Sequence, residues 1–363
     1  MSEAKKKVLH ILTAFDYGGV ETQMLIIQNN LHHSEFRHLF CAIAGGGNTL
    51  DAIVAAGGEA TALNKSPKIP SIQAAIALIK LIREYSPEVV HLHGVEANFH
   101  GAIAAWLARV NVVIAEEIGI PSHSKLARII FNLIYRLCDR VIAVSSVVKD
   151  YICRIGEARP ESVEVIFNPF VPRDFHPPPA IEDEIKLCYV GRLENVKNPM
   201  AAIDACRALN DLGSPASLRL IGDGSLAPTL HAKVHELSLE SKVHFLGFQS
   251  SPFDHLKGCN FYIQPSFTEG FSIALCEAMS SGIPVISTKT GAAPEIINHG
   301  VNGWLLDAPT AHEIVKVTLD AAKLSHSQLV DISVAARARV VDEFAAAAYM
   351  RNCDRLYQNL LGT

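Results

Sequence analysis

Hydrophobic positions along the chain fall into short, nearly continuous runs separated by segments of helical spacing. KVLHILTA, HLFCAIA, EATAL, VVHLHG, VVIAEE, VIAVSS and VEVIFNP alternate with stretches of helix length through the first half of the sequence. Such runs predict strands buried on both faces, and the helices between them predict βαβ crossovers, hence a parallel sheet covered on both sides. The alternation stops at NPFVPRDFHPPPAIEDE, residues 168–184, where prolines and then acids break any helix or central strand. It restarts with IKLCYVG, LRLIGDG, VHFLG, FYIQPS, PVIST and GWLLD, and from about Ala311 to Leu361 only helical spacing remains. The predicted fold class is α/β: two Rossmann-like, doubly wound parallel-sheet domains over residues 1–172 and 185–363, joined by a linker over 173–184. The last helix has the option of packing back on the first domain. Ligands of such sheets bind at the carboxyl ends of the strands, so a cleft between the domains is the expected site.

Composition narrows the function. At 363 residues with 49% hydrophobic and 19% charged positions, the chain carries enough apolar material for two cores and gives no case for disorder. Its 32 Lys+Arg against 37 Asp+Glu give a net charge of -5, without the positive field that draws nucleic acid, so nucleic acid is not an expected partner. The 8 cysteines are scattered without a C-x-x-C pair and read as reduced core residues of a cytoplasmic protein. The apolar run after Lys5–Lys7 is short and lacks a cleavage pattern, so it reads as a first strand rather than a leader. No run reaches the ~18 apolar residues of a membrane span.

Four patterns sit at strand-to-helix turns. In DYGGVETQ, Gly18 and Gly19 end the first strand, where backbone can approach a ligand closely, although an ordinary tight turn explains the pair as well. In YVGRLENVKNP, Arg192 and Lys197 place two cations at a strand end, which suits a diphosphate; a solvated basic loop is the alternative. In LIGDGSL, Asp223 between two glycines reads first as a turn or a helix cap. The fourth, TEGFSIALCEAMSSG, opens a helix after FYIQPS, with Gly282 as its C-cap. A helix start favours an anion, yet Glu269 and Glu277 bracket this one. A first-turn carboxylate and a solvated one explain the pair, except that Glu277 stands among Leu275, Cys276 and Ala278, where a buried carboxylate needs donors. Sugar and ribose hydroxyls are such donors.

The glycine pair followed by Glu21, G-R-L-x3-K-N over Gly191–Asn198, the G-D-G turn and E-G-F-S-x4-E-A resemble glycosyltransferase family 4, a retaining family with the GT-B fold, in family order across residues 7–305. The resemblance implies a donor site in which Glu269 holds hydroxyls of the transferred sugar and Glu277 binds ribose. It implies that backbone amides of Gly270, Phe271 and Ser272 meet the phosphates, that Arg192 and Lys197 neutralise the diphosphate, and that Gly19 brings backbone near the diphosphate or acceptor. The loop of Gly247 and Phe248 is the implied place of the nucleobase. The implied reaction transfers a hexose from a nucleotide sugar, most often UDP-linked, to an acceptor hydroxyl with retention, in polysaccharide or lipopolysaccharide synthesis. The departing diphosphate itself helps deprotonate the acceptor, and no metal or other cofactor is expected.

The match departs at VVIAEEIGIPSH, where Glu117 stands at the place of a family histidine, unless His123 is that residue. In VVHLHG, His91 and His93 are expected on opposite faces of the sheet, with His93 the one nearer the site and either one also readable as a core histidine. No D-x-D motif and no histidine–carboxylate cluster at ligand spacing is seen. Residues 122–140 combine Lys125, Arg128, Arg136 and Arg140 with an apolar face. A helix packed on the sheet with a solvated basic rim is the first reading, and peripheral contact with the inner face of a membrane the second. The acceptor, whether glycan, glycolipid or small molecule, is not spelled by any motif. A non-catalytic sugar-nucleotide-binding protein and a sugar-nucleotide epimerase of the same architecture are the competing functions.

Overall fold

The computed structural model describes residues 5–16, 19–249 and 251–362, so Gly18 lies outside the described residues. Each apolar run named above forms a strand. The first sheet contains β1 (Lys7–Leu12), β2 (Arg37–Ala42), β3 (Glu59–Ala62), β4 (Val89–His93), β5 (Val112–Glu117), β6 (Arg140–Ala143) and β7 (Val163–Val165), in the order β3-β2-β1-β4-β5-β6-β7. The second contains β8 (Ile185–Val190), β9 (Ala216–Ile221), β10 (Val243–Phe245), β11 (Phe261–Gln264), β12 (Val285–Thr288) and β13 (Trp304–Leu306), in the order β10-β9-β8-β11-β12-β13. Every pairing is parallel, as crossovers through helices require.

The chain divides into two compact units, one running to Phe170 and including Ala346 onward, the other Val171–Ala345. The helix Ala346–Leu361, counted with the second domain in the sequence reading, therefore belongs to the first unit: Tyr349, Met350, Leu356 and Tyr357 are buried with Val8, Phe36, Phe40 and Ile114. The second core joins Leu187, Leu218, Phe261 and Ile286 of the sheet to Ile203, Leu209 and Ile314 of the covering helices. Each such side chain contributes about 1.5–3 kcal/mol when fully buried.

Helix starts are fixed locally. Ser71, Ser124, Ser145, Ser272, Thr310 and Ser325 each accept a hydrogen bond from a backbone N–H of the first turn. At the end of the helix Ile273–Ser281, Gly282 has φ +91°, and an added Cβ would lie 2.5 Å from the carbonyl of His176, so only glycine fits. That carbonyl belongs to the proline-rich stretch expected to be a connector. Residues 173–176 instead belong to the second unit and pack on its helix Ile273–Ser281: Arg173 N donates to Ser280 Oγ (3.0 Å) and His176 N to Ser281 O (2.9 Å). Prolines kept the segment extended, and its polar groups found partners on the neighbouring helix.

Candidate functional site at the carboxyl edge of the second sheet

In the second unit strand order reverses between β8 and β11, and the loops leaving these two strands therefore diverge and open a crevice at their carboxyl ends. Arg192 and Lys197 lie on the loop after β8, Glu269 on the loop after β11, and Glu277 on the helix Ile273–Ser281 that follows.

The loop after β8 is held from below. Gly191 N donates to Ile221 O (3.0 Å) and Leu193 N to Asp223 O (2.9 Å), which explains why the G-R-L and G-D-G turns occur together. Gly222, at φ +138°, packs so closely that an added Cβ would lie 1.9 Å from the Gly191 carbonyl. Glu194 accepts from Ser225 N (2.9 Å) and Ser225 Oγ (2.7 Å). Asn198, left-handed at φ 52°, donates its side-chain amide to Pro265 O (3.1 Å) and Pro309 O (2.8 Å), tying this loop to the one after β11.

Lys197 and Glu269, which the sequence reading assigned to separate tasks, form an ion pair: Nζ lies 2.7 Å from both carboxylate oxygens. Ser266 Oγ donates a third hydrogen bond to Glu269 at 2.7 Å, and Glu269 is buried. Ser266 is itself fixed through its carbonyl, which accepts from Thr288 Oγ1 at 2.7 Å. Two backbone contacts lock the E-G-F-S turn: Gly270 O accepts from Ala292 N (3.0 Å), and Ser272 Oγ accepts from Leu275 N (3.2 Å). Phe271 is buried; Arg192 is exposed and makes no ion pair with a described residue.

Glu277 is mostly buried, as its apolar neighbours suggested, but its donor is a protein group. Arg173 reaches it through Nε (3.0 Å) and through Nη2. Burial raises the Glu277 carboxyl above its ordinary pKa, with Arg173 offsetting part of the rise. The sequence offered no signal for Arg173 beyond a lone arginine among prolines. Of the loop expected to hold the nucleobase, Gly247 has φ +64° and Phe248 is 69% exposed. Gly19 begins the helix Gly19–Asn29 of the first unit.

The first unit holds the remaining residues. Glu117 is buried on β5, where its Oε1 accepts from Tyr135 OH (2.8 Å); burial pushes its carboxyl up to about 7. His123 instead pairs with buried Glu157 (2.9 Å). His91 and His93 do not face opposite layers: residues two apart in a strand share a face, and their rings lie 4.2 Å apart. His93 is buried, with Nε2 2.9 Å from His10 Nδ1 and Nδ1 2.8 Å from Glu116 Oε2. A histidine–carboxylate cluster thus exists where the sequence showed none, because its members come from β1, β2, β4 and β5 and only sheet pairing unites them. Ring nitrogens of His10, His91 and His93 lie within 4.8 Å of one another.

Helix Lys125–Tyr135 buries Phe131, Ile134 and Tyr135, whereas Leu126, Ile129 and Leu133 are 68%, 62% and 57% exposed. The solvent side is therefore apolar as well as basic, which the expected basic rim did not include.

The sequence model for "Glycosyltransferase Family 4" matches residues 17–172 and that for "Glycosyl transferases group 1" residues 171–338. The chain belongs to glycosyltransferase family 4. The amylovoran biosynthesis glycosyltransferase AmsK of Erwinia amylovora is 32% identical over 173 residues, 46% of this chain and 42% of that protein. The chain thus spans about half the length of curated relatives that it matches at about 30% identity. An Escherichia coli enzyme, UDP-Gal:alpha-D-GlcNAc-diphosphoundecaprenol alpha-1,3-galactosyltransferase, is 24% identical over 332 residues, 84% of this chain and 85% of the enzyme. The crystal structure of Anabaena HepE in complex with UDP superposes with a TM-score of 0.83 at 22% identity, covering 97% of this chain and 100% of HepE. The fold is GT-B, built from two Rossmann-like parallel-sheet domains.

Proposed function

We propose that the protein is a glycosyltransferase that moves a hexose from a UDP-sugar to an acceptor hydroxyl with retention of anomeric configuration. The observation that carries this reading is the Lys197–Glu269 pair at the β8/β11 switch point, beside the start of the helix that bears Glu277. A carboxylate there accepts hydrogen bonds from sugar hydroxyls, while the adjacent ammonium and the exposed Arg192 guanidinium neutralise a diphosphate; the two chemistries a sugar nucleotide presents are met side by side. Glu277 serves the ribose hydroxyls, and amides at the start of the helix Ile273–Ser281 serve the phosphates. The protein's contribution to the transfer is orientation and stabilisation of the departing negative charge, with the leaving diphosphate taking up the acceptor proton. UDP is preferred because the Escherichia coli relative uses UDP-galactose and HepE was crystallised with UDP.

The decisive experiment is incubation with UDP-glucose, UDP-galactose, UDP-N-acetylglucosamine and GDP-mannose, each with glycan and polyprenyl-diphosphate sugar acceptors, followed by product NMR. An α-linked product from an α-linked UDP-sugar supports the reading. An altered sugar nucleotide formed without acceptor supports an epimerase, and a β-linked product removes retention.

A lipid-linked acceptor at a membrane surface is favoured by one observation, the exposed Leu126, Ile129 and Leu133 beside Lys125 and Arg128. No described helix is long and apolar enough to cross a membrane. In this reading the contact is a peripheral one, at the inner face.

A further inference from the structure

A continuous polar chain crosses one face of the first sheet beneath the helix Ala346–Leu361. It begins at Asp354 Oδ1, which lies 2.9 Å from Ser34 Oγ, and continues from Ser34 Oγ to His38 Nε2 (2.9 Å), from His38 Nδ1 to His10 Nε2 (2.8 Å), and from His10 Nδ1 to His93 Nε2 (2.9 Å). It ends where His93 Nδ1 meets Glu116 Oε2 at 2.8 Å. This last approach is short but off the ideal hydrogen-bond line. Without a proton on His93 Nδ1, an acceptor nitrogen would stand 2.8 Å from a carboxylate oxygen, a repulsive ionic contact even off that line, so the contact counts as a link. Register explains the path: His10 pairs with His91 across β1 and β4, His93 pairs with Glu116 across β4 and β5, and His38 pairs with Val8, two residues before His10. All six residues are buried.

The chain has five links, each needing one proton. One hydroxyl and three singly protonated imidazoles supply four, and two ionised carboxylates supply none. One link is left with two lone pairs facing each other, at a cost of the order of a buried unsatisfied acceptor, unless the chain binds one more proton.

We propose that this chain is a proton-binding site that holds one proton in common between Asp354 and Glu116, residing on Asp354. Each donor then points toward Glu116: Asp354 donates to Ser34, Ser34 to His38, His38 to His10, His10 to His93 and His93 to Glu116. Glu116 is the acceptor end because it also accepts from Gln23 Nε2 (3.0 Å) and approaches His91 Nε2 at 3.2 Å. Burial raises the Asp354 carboxyl; burial alone would also raise Glu116, but His93 and His91 hold it well below the usual range. Burial lowers His10 and His38, which keeps the extra proton off both rings. Other ionisable groups about the chain are Lys5 and Glu35 near Asp354, Cys353 on the same helix, and Tyr349, Tyr357 and Glu117 near Glu116. Because Asp354 lies on the returning helix and His38, His10, His93 and Glu116 lie on the sheet, the proton is part of what docks that helix.

The test is long-range 1H–15N NMR on full-length protein with 15N-labelled histidine, which reads the tautomer of each ring. In the wild type His10, His38 and His93 are expected to carry their proton on Nδ1. Glu116→Gln presents a donor to His93 and is expected to reverse all three rings to Nε2–H. Asp354→Asn, whose amide replaces the acid proton, is expected to leave them unchanged. The double variant places donors at both ends, giving six protons for five links, and is expected to lower the folding constant at least tenfold below the product of the two single effects. Mixed tautomers or an imidazolium in the wild type would overturn the proposal whether or not any variant folds. So would unchanged tautomers in Glu116→Gln, additive single effects, or stoichiometric metal in the purified protein by elemental analysis.

Discussion

The ammonium of Lys197 lies equidistant, at 2.7 Å, from the two carboxylate oxygens of Glu269. It joins a cation from the loop after β8 to an anion from the loop after β11, so the two loops are electrostatically one unit. Breaking a largely buried pair from one side strands the other charge. Lys197→Met is expected to destabilise the protein by about 3 kcal/mol, and Lys197→Met with Glu269→Gln by less than Lys197→Met alone. Urea unfolding of the three variants checks this. Either single change is expected to lower kcat/KM by about 10²–10³-fold.

Arg173 stands to Glu277 as Lys197 does to Glu269, but it is one-third exposed, and water replaces it in part. Arg173→Ala is expected to cost about 1–2 kcal/mol and to raise the Glu277 pKa further, since the group that offsets burial is removed. Glu277→Gln in the same background is expected to restore stability above neutral pH. Thermal unfolding of both variants at pH 5 and pH 8 decides it.

Glu117 gives a pH dependence with a definite sign. Its folded carboxyl sits at about 7 against an ordinary 4.5. A raised carboxyl means the folded state holds the proton more tightly, so its stabilising contribution is complete below pH 4.5 and is lost as pH rises through 7. The full change is about 3 kcal/mol. Glu117→Gln keeps an acceptor for Tyr135 without the charge and is expected to remove that loss; equal pH slopes for wild type and variant between pH 5 and 8 would refute it.

The exposed apolar side of the helix Lys125–Tyr135 predicts a surface phenotype without a folding one. Leu126→Ser, Ile129→Ser and Leu133→Ser together are expected to change unfolding free energy by no more than about 1 kcal/mol. Sedimentation with vesicles containing anionic lipid is expected to fall at least tenfold, while neutral vesicles bind neither protein. Unchanged binding to anionic vesicles would remove the membrane reading.

The thirteen strands of the described residues were legible because a strand of a doubly covered parallel sheet is apolar on both faces and needs no partner to be recognised. The turn motifs were legible for a similar reason: their glycines answer to local close approaches, as Gly222 does to the carbonyl of Gly191. What failed depended on strand pairing or on side chains distant in sequence. His10, His38, His93 and Glu116 come together only through register, and Arg173 reaches Glu277 across 104 positions of sequence. The shared face of His91 and His93 follows from the two-residue period of a strand alone and was legible without the structure. The return of the last helix to the first unit left no mark in its periodicity, which reports an apolar face without saying what it covers.

The proposed function requires a UDP-sugar site in the second unit, which calorimetric titration of UDP into the wild type, Arg192→Ala and Glu277→Gln would reveal. Arg192 is exposed and Glu277→Gln keeps the shape of its side chain, so both variants are expected to fold. The predicted result is UDP binding by the wild type, weakened about 10–100-fold in each variant, the range expected for one charge-assisted contact. Affinity that is equal in all three proteins, or a wild type that binds no UDP, would contradict it.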